Sequence, residues 1–104
     1  MTRYFQVHLQ TPAAPEHLIE AHAAGELFLN ARGRPSDAAR AARLESEDLA
    51  RALLEASSEP LRSRYGDGVA MEVREAHGAG ADDAQRIAND SNATRDWLVS
   101  QPTG

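Results

Sequence analysis

The sequence contains no cysteine and no lysine; all eleven of its basic residues are arginine. Without cysteine there is no disulfide framework, no Cys-based zinc site and no thiol nucleophile. Without lysine there is no Schiff-base amine and no Walker-A phosphate clamp. Aromatic residues make up only 5% of the chain, with a single tryptophan, Trp97. Leu, Ile, Val and Phe together number eighteen in 104 residues, against twenty alanines. Their longest run, Leu27-Phe28-Leu29, falls far short of the about 20 apolar residues of a membrane-spanning helix. The start of the chain, MTRYFQVHLQ, has no apolar stretch of signal-peptide type, so a cytoplasmic location is expected.

What is present is a short, acidic, alanine- and arginine-rich chain of net charge −5, the composition of a GC-rich bacterial or phage gene. Its length predicts one domain over residues 1–104. So few large apolar side chains make a thin core. Thin cores are often completed by a second copy or by a partner, and a homodimer is expected.

Hydrophobic alternation places Phe5, Val7 and Leu9 on one face and Tyr4, Gln6, His8 and Gln10 on the other, a half-buried strand over 3–10. Pro15 and Glu16 suit a helix start, and Leu18, Ile19, Ala23 and Leu27 recur at helical spacing, which predicts a helix over 15–32 stopped by Gly33. The alternative is a break at Gly25 with ELFLN as a short strand. Ser36 suits an N-cap, and positions 39, 42, 46, 49, 53 and 56 trace one helical face over 36–57. Ser46 could instead open a separate helix. Ser58-Glu59-Pro60 predicts a restart into a short turn ending at Tyr65, and Gly66-Asp67-Gly68 a turn. Val69, Met71 and Val73 alternate as a second strand over 69–75, and His77-Gly78-Ala79-Gly80 reads as a loop. A last helix covers about 81–100, weakened at Asn89-Asp90-Ser91-Asn92. The fold class is α+β: a small two- or three-stranded sheet packed with three to four helices, in the order β-α-α-(α)-β-α.

Residues 31–44 gather Arg32, Arg34, Arg40 and Arg43 against Asp37 alone, a local net of +3 that leaves −8 elsewhere. Arg32-Gly33-Arg34-Pro35 matches the central R-G-R-P of an AT-hook, in which an extended chain inserts arginines into a narrow minor groove. The more economical reading is a connector with solvated arginines. Arg40 and Arg43, three apart on the expected helix, would share a face. Arg43 can meet Glu47, and Glu47 can meet Arg51, at i,i+4. Arg32 and Arg34 have no such local partner. The four arginines would then form one electrostatic face opposite Glu45, Glu47, Asp48, Asp82 and Asp83.

Other motifs are weaker. Gly78-Ala79-Gly80 after a strand has the context of a dinucleotide fingerprint, but Asp83 replaces the third glycine, and Asp82 and Asp83 repel a phosphate at the helix start. His17, Glu20 and His22 are of metal-ligating type, but His17 and His22 lie about 140° apart around a helix. No serine lies in a G-x-S-x-G elbow. Trp97 reads as a lid over the sheet or as an interface anchor.

These readings favour a stand-alone non-enzymatic protein-binding module, with Arg32, Arg34, Arg40, Arg43 and Trp97 as its contact residues. No catalytic residue, metal or cofactor is expected. The profile is that of small acidic antagonists of phage and mobile-element type, anti-CRISPR inhibitors included. One alternative is a small enzyme using His8 or His77 as acid/base in a sheet–helix cleft. Another is a nucleic-acid binder through Arg32–Arg43, which the net charge of −5 opposes.

Overall fold

Strand β1, Thr2–Gln10, runs through the middle of the molecule, and its alternation is the one the sequence predicts. The computed structural model describes residues 2–78 and 80–101. Phe5, Val7 and Leu9 are buried on one face. Strand β4, Ala70–Gly78, lies antiparallel to β1 along its whole length, with Val7 opposite Val73 and Leu9 opposite Met71. On the other side β1 pairs with β2, Leu27–Leu29, and β2 pairs with β3, Pro35–Ser36. The sheet is four-stranded and antiparallel, in the order β3-β2-β1-β4, where the sequence pattern predicted two or three strands.

The expected helix over 15–32 is broken, as the alternative reading had it. A 3-10 turn, Glu16–Leu18, leads into α1, Ile19–Ala23. Gly25 then takes a φ of 70°. That conformation suits glycine and ends the helix. The freed segment returns as β2, which buries Leu27 and Leu29 beside Leu9 and Val7. This fold-back also buries His8 on the opposite sheet face. Its Nε2–H donates to the Gly25 carbonyl at 2.7 Å, and its ring meets Phe28 edge-on at 5.3 Å.

Gly33 stops no helix. It sits in the hairpin between β2 and β3, where the Asn30 side chain accepts from the Arg32 and Arg34 backbone N–H groups at 2.9 and 3.1 Å. A Cβ on Gly33 would meet the Ser57 hydroxyl and stand 2.8 Å from the Trp97 ring, and its φ is 71°.

Residues 36–45 form no helix either. Ser36 belongs to β3, and the chain from Asp37 to Glu45 is irregular apart from a bridge in which Leu44 exchanges both backbone hydrogen bonds with Phe5, each 2.8 Å. Ser46 is the true N-cap: its Oγ accepts from Leu49 N, and helix α2 runs Glu47–Tyr65. Pro60 does not interrupt α2. It lies exposed in the last two turns, where one lost backbone hydrogen bond is outweighed by the continuing buried stripe of Leu53, Ser57 and Leu61.

Helix α3, Ala81–Ser100, has the expected bounds and no break at Asn89–Asn92. Its mid-helix polar residues serve the irregular segment and the β2–β3 hairpin. Asp90 accepts from Arg43 N, Ser91 Oγ accepts from Glu45 N, and Thr94 Oγ1 donates to Ala31 O. The expected loop at His77 and Gly78 is the end of β4, and Ala79 lies outside the described residues. The core is a single cluster between the odd-numbered face of β1, the strand β2, the segment Ala42–Leu44 and the inner face of α2.

Candidate anion-binding cleft

The eleven arginines divide into two sets. Arg3, Arg43, Arg51, Arg74, Arg86 and Arg95 each meet a carboxylate: Glu75, Asp83, Glu47, Glu72, Asp90 and Glu45 respectively. Arg32, Arg34, Arg40, Arg62 and Arg64 have no carboxylate partner and no side-chain hydrogen bond among the described residues.

Three of the unpaired guanidinium groups line one depression. Arg34 enters from the β2–β3 hairpin, Arg40 from the turn after β3, and Arg64 from the last turn of α2. His17, on the 3-10 turn, and Tyr65 complete the polar wall, and Leu18, Pro35 and Leu61 supply apolar lining. The volume is 610 Å³, inside the roughly 300–1,000 Å³ usual for ligand sites. Asp37 is the one carboxylate on the wall, and its Oδ1 accepts from Arg40 N at 3.0 Å. That contact shapes the turn and presents Arg40. The Asn30 clamp does the same for the hairpin that carries Arg34. Arg64 lies over the Tyr65 ring at 5.7 Å. Guanidinium groups present planar forks that match carboxylate and phosphate oxygens. Three of them against one wall carboxylate leave this cleft net positive, a fit for an anionic group.

A second depression of 510 Å³ adjoins the first and shares Arg34 with it. Arg32, Asp96 and Trp97 line it. Trp97 is half-buried, packed on Gly33 and on the rim of the core, so it acts as a lid and still shows one side at this second depression. The structure thus brings Arg32, Arg34 and Trp97 together, and Arg34 with Arg40.

Arg43 belongs to neither depression. With no helix at 36–45 it shares no face with Arg40. It turns toward α3, pairs with Asp83 and lies over the Tyr4 ring at 5.0 Å. The expected single face of four arginines therefore does not form. Nor does the acidic face opposite it, since Glu45 and Asp83 are engaged with Arg95 and Arg43. Arg43 does not meet Glu47, whereas Glu47 and Arg51 do pair, at 3.1 Å.

Sequence reasoning missed Arg64, for which a local signal exists. The residues four and three before it are Pro60 and Leu61, so it has no carboxylate in reach on its own helix, and Asp67, three after it, lies past the helix end. His17 was singled out only as a metal ligand, alongside Glu20 and His22. His22 Nε2–H instead donates to the Thr11 carbonyl at 2.8 Å. Near His8 the depression is only 120 Å³, and His77 is exposed on β4 opposite Arg3. Asp83 lies against Gly78, where an added Cβ would stand 2.7 Å from its carboxylate.

No protein-family model, curated protein or solved structure matches the chain. No helix among the described residues is long and apolar enough to cross a membrane.

Proposed function

We propose that this chain is a non-enzymatic binding module that seats an acidic segment of a protein partner in the arginine cleft. The observation that carries this reading is the convergence of Arg34, Arg40 and Arg64, none of them in an ion pair among the described residues, on one cleft of 610 Å³. An acidic chain that leaves three guanidinium groups unpaired together, while pairing most of its other arginines, has a local surface of opposite sign to its net charge of −5. Such a patch steers acidic partners and repels basic ones. The neighbouring depression, with Arg32 and the exposed side of Trp97, extends the surface with residue types enriched at interface hot spots. Occupancy of a partner's surface is the way a small antagonist of phage or mobile-element type acts. A nucleic-acid ligand is disfavoured by the overall charge and by the R-G-R-P stretch, which is folded into a clamped hairpin rather than extended.

Fluorescence anisotropy with a labelled octaglutamate peptide, an octalysine peptide and an A·T-rich duplex tests the reading. Octaglutamate is expected to bind, with affinity falling as salt shortens the screening length to ~8 Å at physiological ionic strength. Arg34→Glu with Arg64→Glu should abolish that binding. Equal binding by the double variant, or tighter binding to the duplex than to octaglutamate, would overturn it.

A further inference from the structure

The two edges of the sheet are unlike. One is β3, two residues long and containing Pro35, which has no N–H to offer. The other is β4, nine residues long, paired with β1 on one side. Among the described residues no backbone group of β4 bonds to any element but β1. Alternate N–H and C=O groups of β4 therefore face outward as a ready template for another strand. The core also ends here incompletely: Met71 and Val73 are only half-buried.

We infer that β4 pairs antiparallel with β4 of a second copy, about a two-fold axis at Val73, to make one continuous eight-stranded sheet. The choice of a second copy rests on charge and register. A two-fold axis perpendicular to the sheet sets residues of equal parity opposite each other, on the same face. Registers centred on Val73, Arg74 and Glu75 keep most of β4 paired. Centring on Arg74 sets Arg74 against itself, and centring on Glu75 sets Glu75 against itself; directly opposed like charges are destabilising. Centring on Val73 sets Glu72 opposite Arg74 of the other copy, twice, Met71 opposite Glu75, twice, Val73 against Val73, and Ala70 against Ala76, with no like charges directly opposed. Within one copy Glu72 and Arg74 already meet at 2.8 Å on the open sheet face. In the pair each keeps an opposite charge within reach across the new ladder. The half-buried Val73 side chains cover one another where the core is thin. The charges that guard this edge against unspecific pairing thereby select one register.

This inference stands apart from the arginine cleft, and its test does too. Sedimentation equilibrium should show a dimer for the native chain at micromolar concentration. Glu72→Arg and Arg74→Glu, each alone, oppose like charges and should weaken the dimer by about tenfold or more, while the double swap restores it. Because the chain lacks cysteine, Val73→Cys introduces one thiol, opposite its own copy and within disulfide reach. Oxidation should cross-link it quickly. Ala70→Cys, about 20 Å from its own copy in this register, should cross-link slowly. A native chain monomeric at 100-fold higher concentration, single swaps that dimerise like the native chain, or equal cross-linking of the two cysteine variants would each overturn the inference. Far-UV circular dichroism verifies that each variant is folded, and the cysteine pair tests the register without altering charge. Arg34→Glu with Arg64→Glu should leave the dimer intact, so failure here and failure of the cleft reading are distinguishable.

Discussion

Arg40 and Arg43 lie three residues apart and do opposite things. Arg43 faces inward to a seam between the irregular segment 37–46 and α3. There it pairs with Asp83, lies over Tyr4 and passes its backbone N–H to Asp90. Arg86 of α3 reaches back across the same seam to the carbonyls of Ala39 and Ala41. Arg40 faces outward into the cleft with Arg34 and Arg64 and meets no carboxylate. In the seam, charge satisfies a stretch of chain that has no helix or ladder to satisfy it, because buried backbone groups must find partners. In the cleft, three guanidinium groups make no ion pair among the described residues. The difference separates arginines that hold the fold from arginines available to bind.

The comparison breaks first if the seam is not held by burial. Leu44 is fully buried and ties the irregular segment to β1. Leu44→Ala should cost about 2–5 kcal/mol of stability, read by urea unfolding. A loss under about 1 kcal/mol would mean that the segment is not anchored there. Next in size is Arg43→Ala. Its side chain is 22% exposed and that of its partner Asp83 24%. Removing it takes the opposite charge from a largely shielded carboxylate and should cost about 1–3 kcal/mol. A neutral result would put Arg43 in the same class as Arg40. Ser91→Ala removes the acceptor for Glu45 N in mid-α3 and should cost about 0.5–1.5 kcal/mol, although alanine is the better helix former. A stabilised variant would show that Ser91 is a helix defect rather than a seam contact.

The seam also marks where the sequence was hard to read. β1 was plain from strict alternation, and α3 was placed over its observed bounds with Asp82 and Asp83 at its start. The second strand was found but ended three residues early, because Ala76, His77 and Gly78 carry no apolar alternation and are ordered by pairing with β1. Residues 36–45 mimicked a helix, since Ala39, Ala42 and Ser46 fall at helical spacing. What decided their structure was remote: acceptors on α3 more than forty residues away in sequence, and the bridge from Leu44 to Phe5. The polar run in mid-α3 looked like a weakness for the same reason, because its partners were invisible locally. Pro60 looked like a break because propensity was weighed without the buried stripe on both sides of it. Around the cleft, Arg32 and Arg34 were legible as charge without local balance, while Arg40 was placed on a helical face with Arg43 that does not form. Arg43 was given the wrong partner, Glu47 at i,i+4, because Asp83 is brought to it only by the fold.

The smallest expected effect on stability is the sharpest test of the division. Arg40 is exposed and its side chain makes no ion pair or hydrogen bond among the described residues, so Arg40→Gln removes no favourable contact. The Asp37 contact is to the Arg40 backbone N–H and survives the substitution. What the change removes is the repulsion of Arg40 by Arg34 and Arg64 in the shared cleft. Stability should therefore stay within about ±0.5 kcal/mol, with any change a gain. That gain should be greatest at low ionic strength and fade as salt is raised, because exposed charges are screened over about 10 Å at 0.1 M. Arg43→Gln serves as the paired control: its loss should persist at high salt, since the seam pair is partly shielded from solvent. Thermal melts of the two variants and the native chain at 20 mM and 500 mM salt measure both. A salt-independent loss at Arg40 would show that it too holds the fold, and the cleft would then present Arg34 and Arg64 alone to a partner.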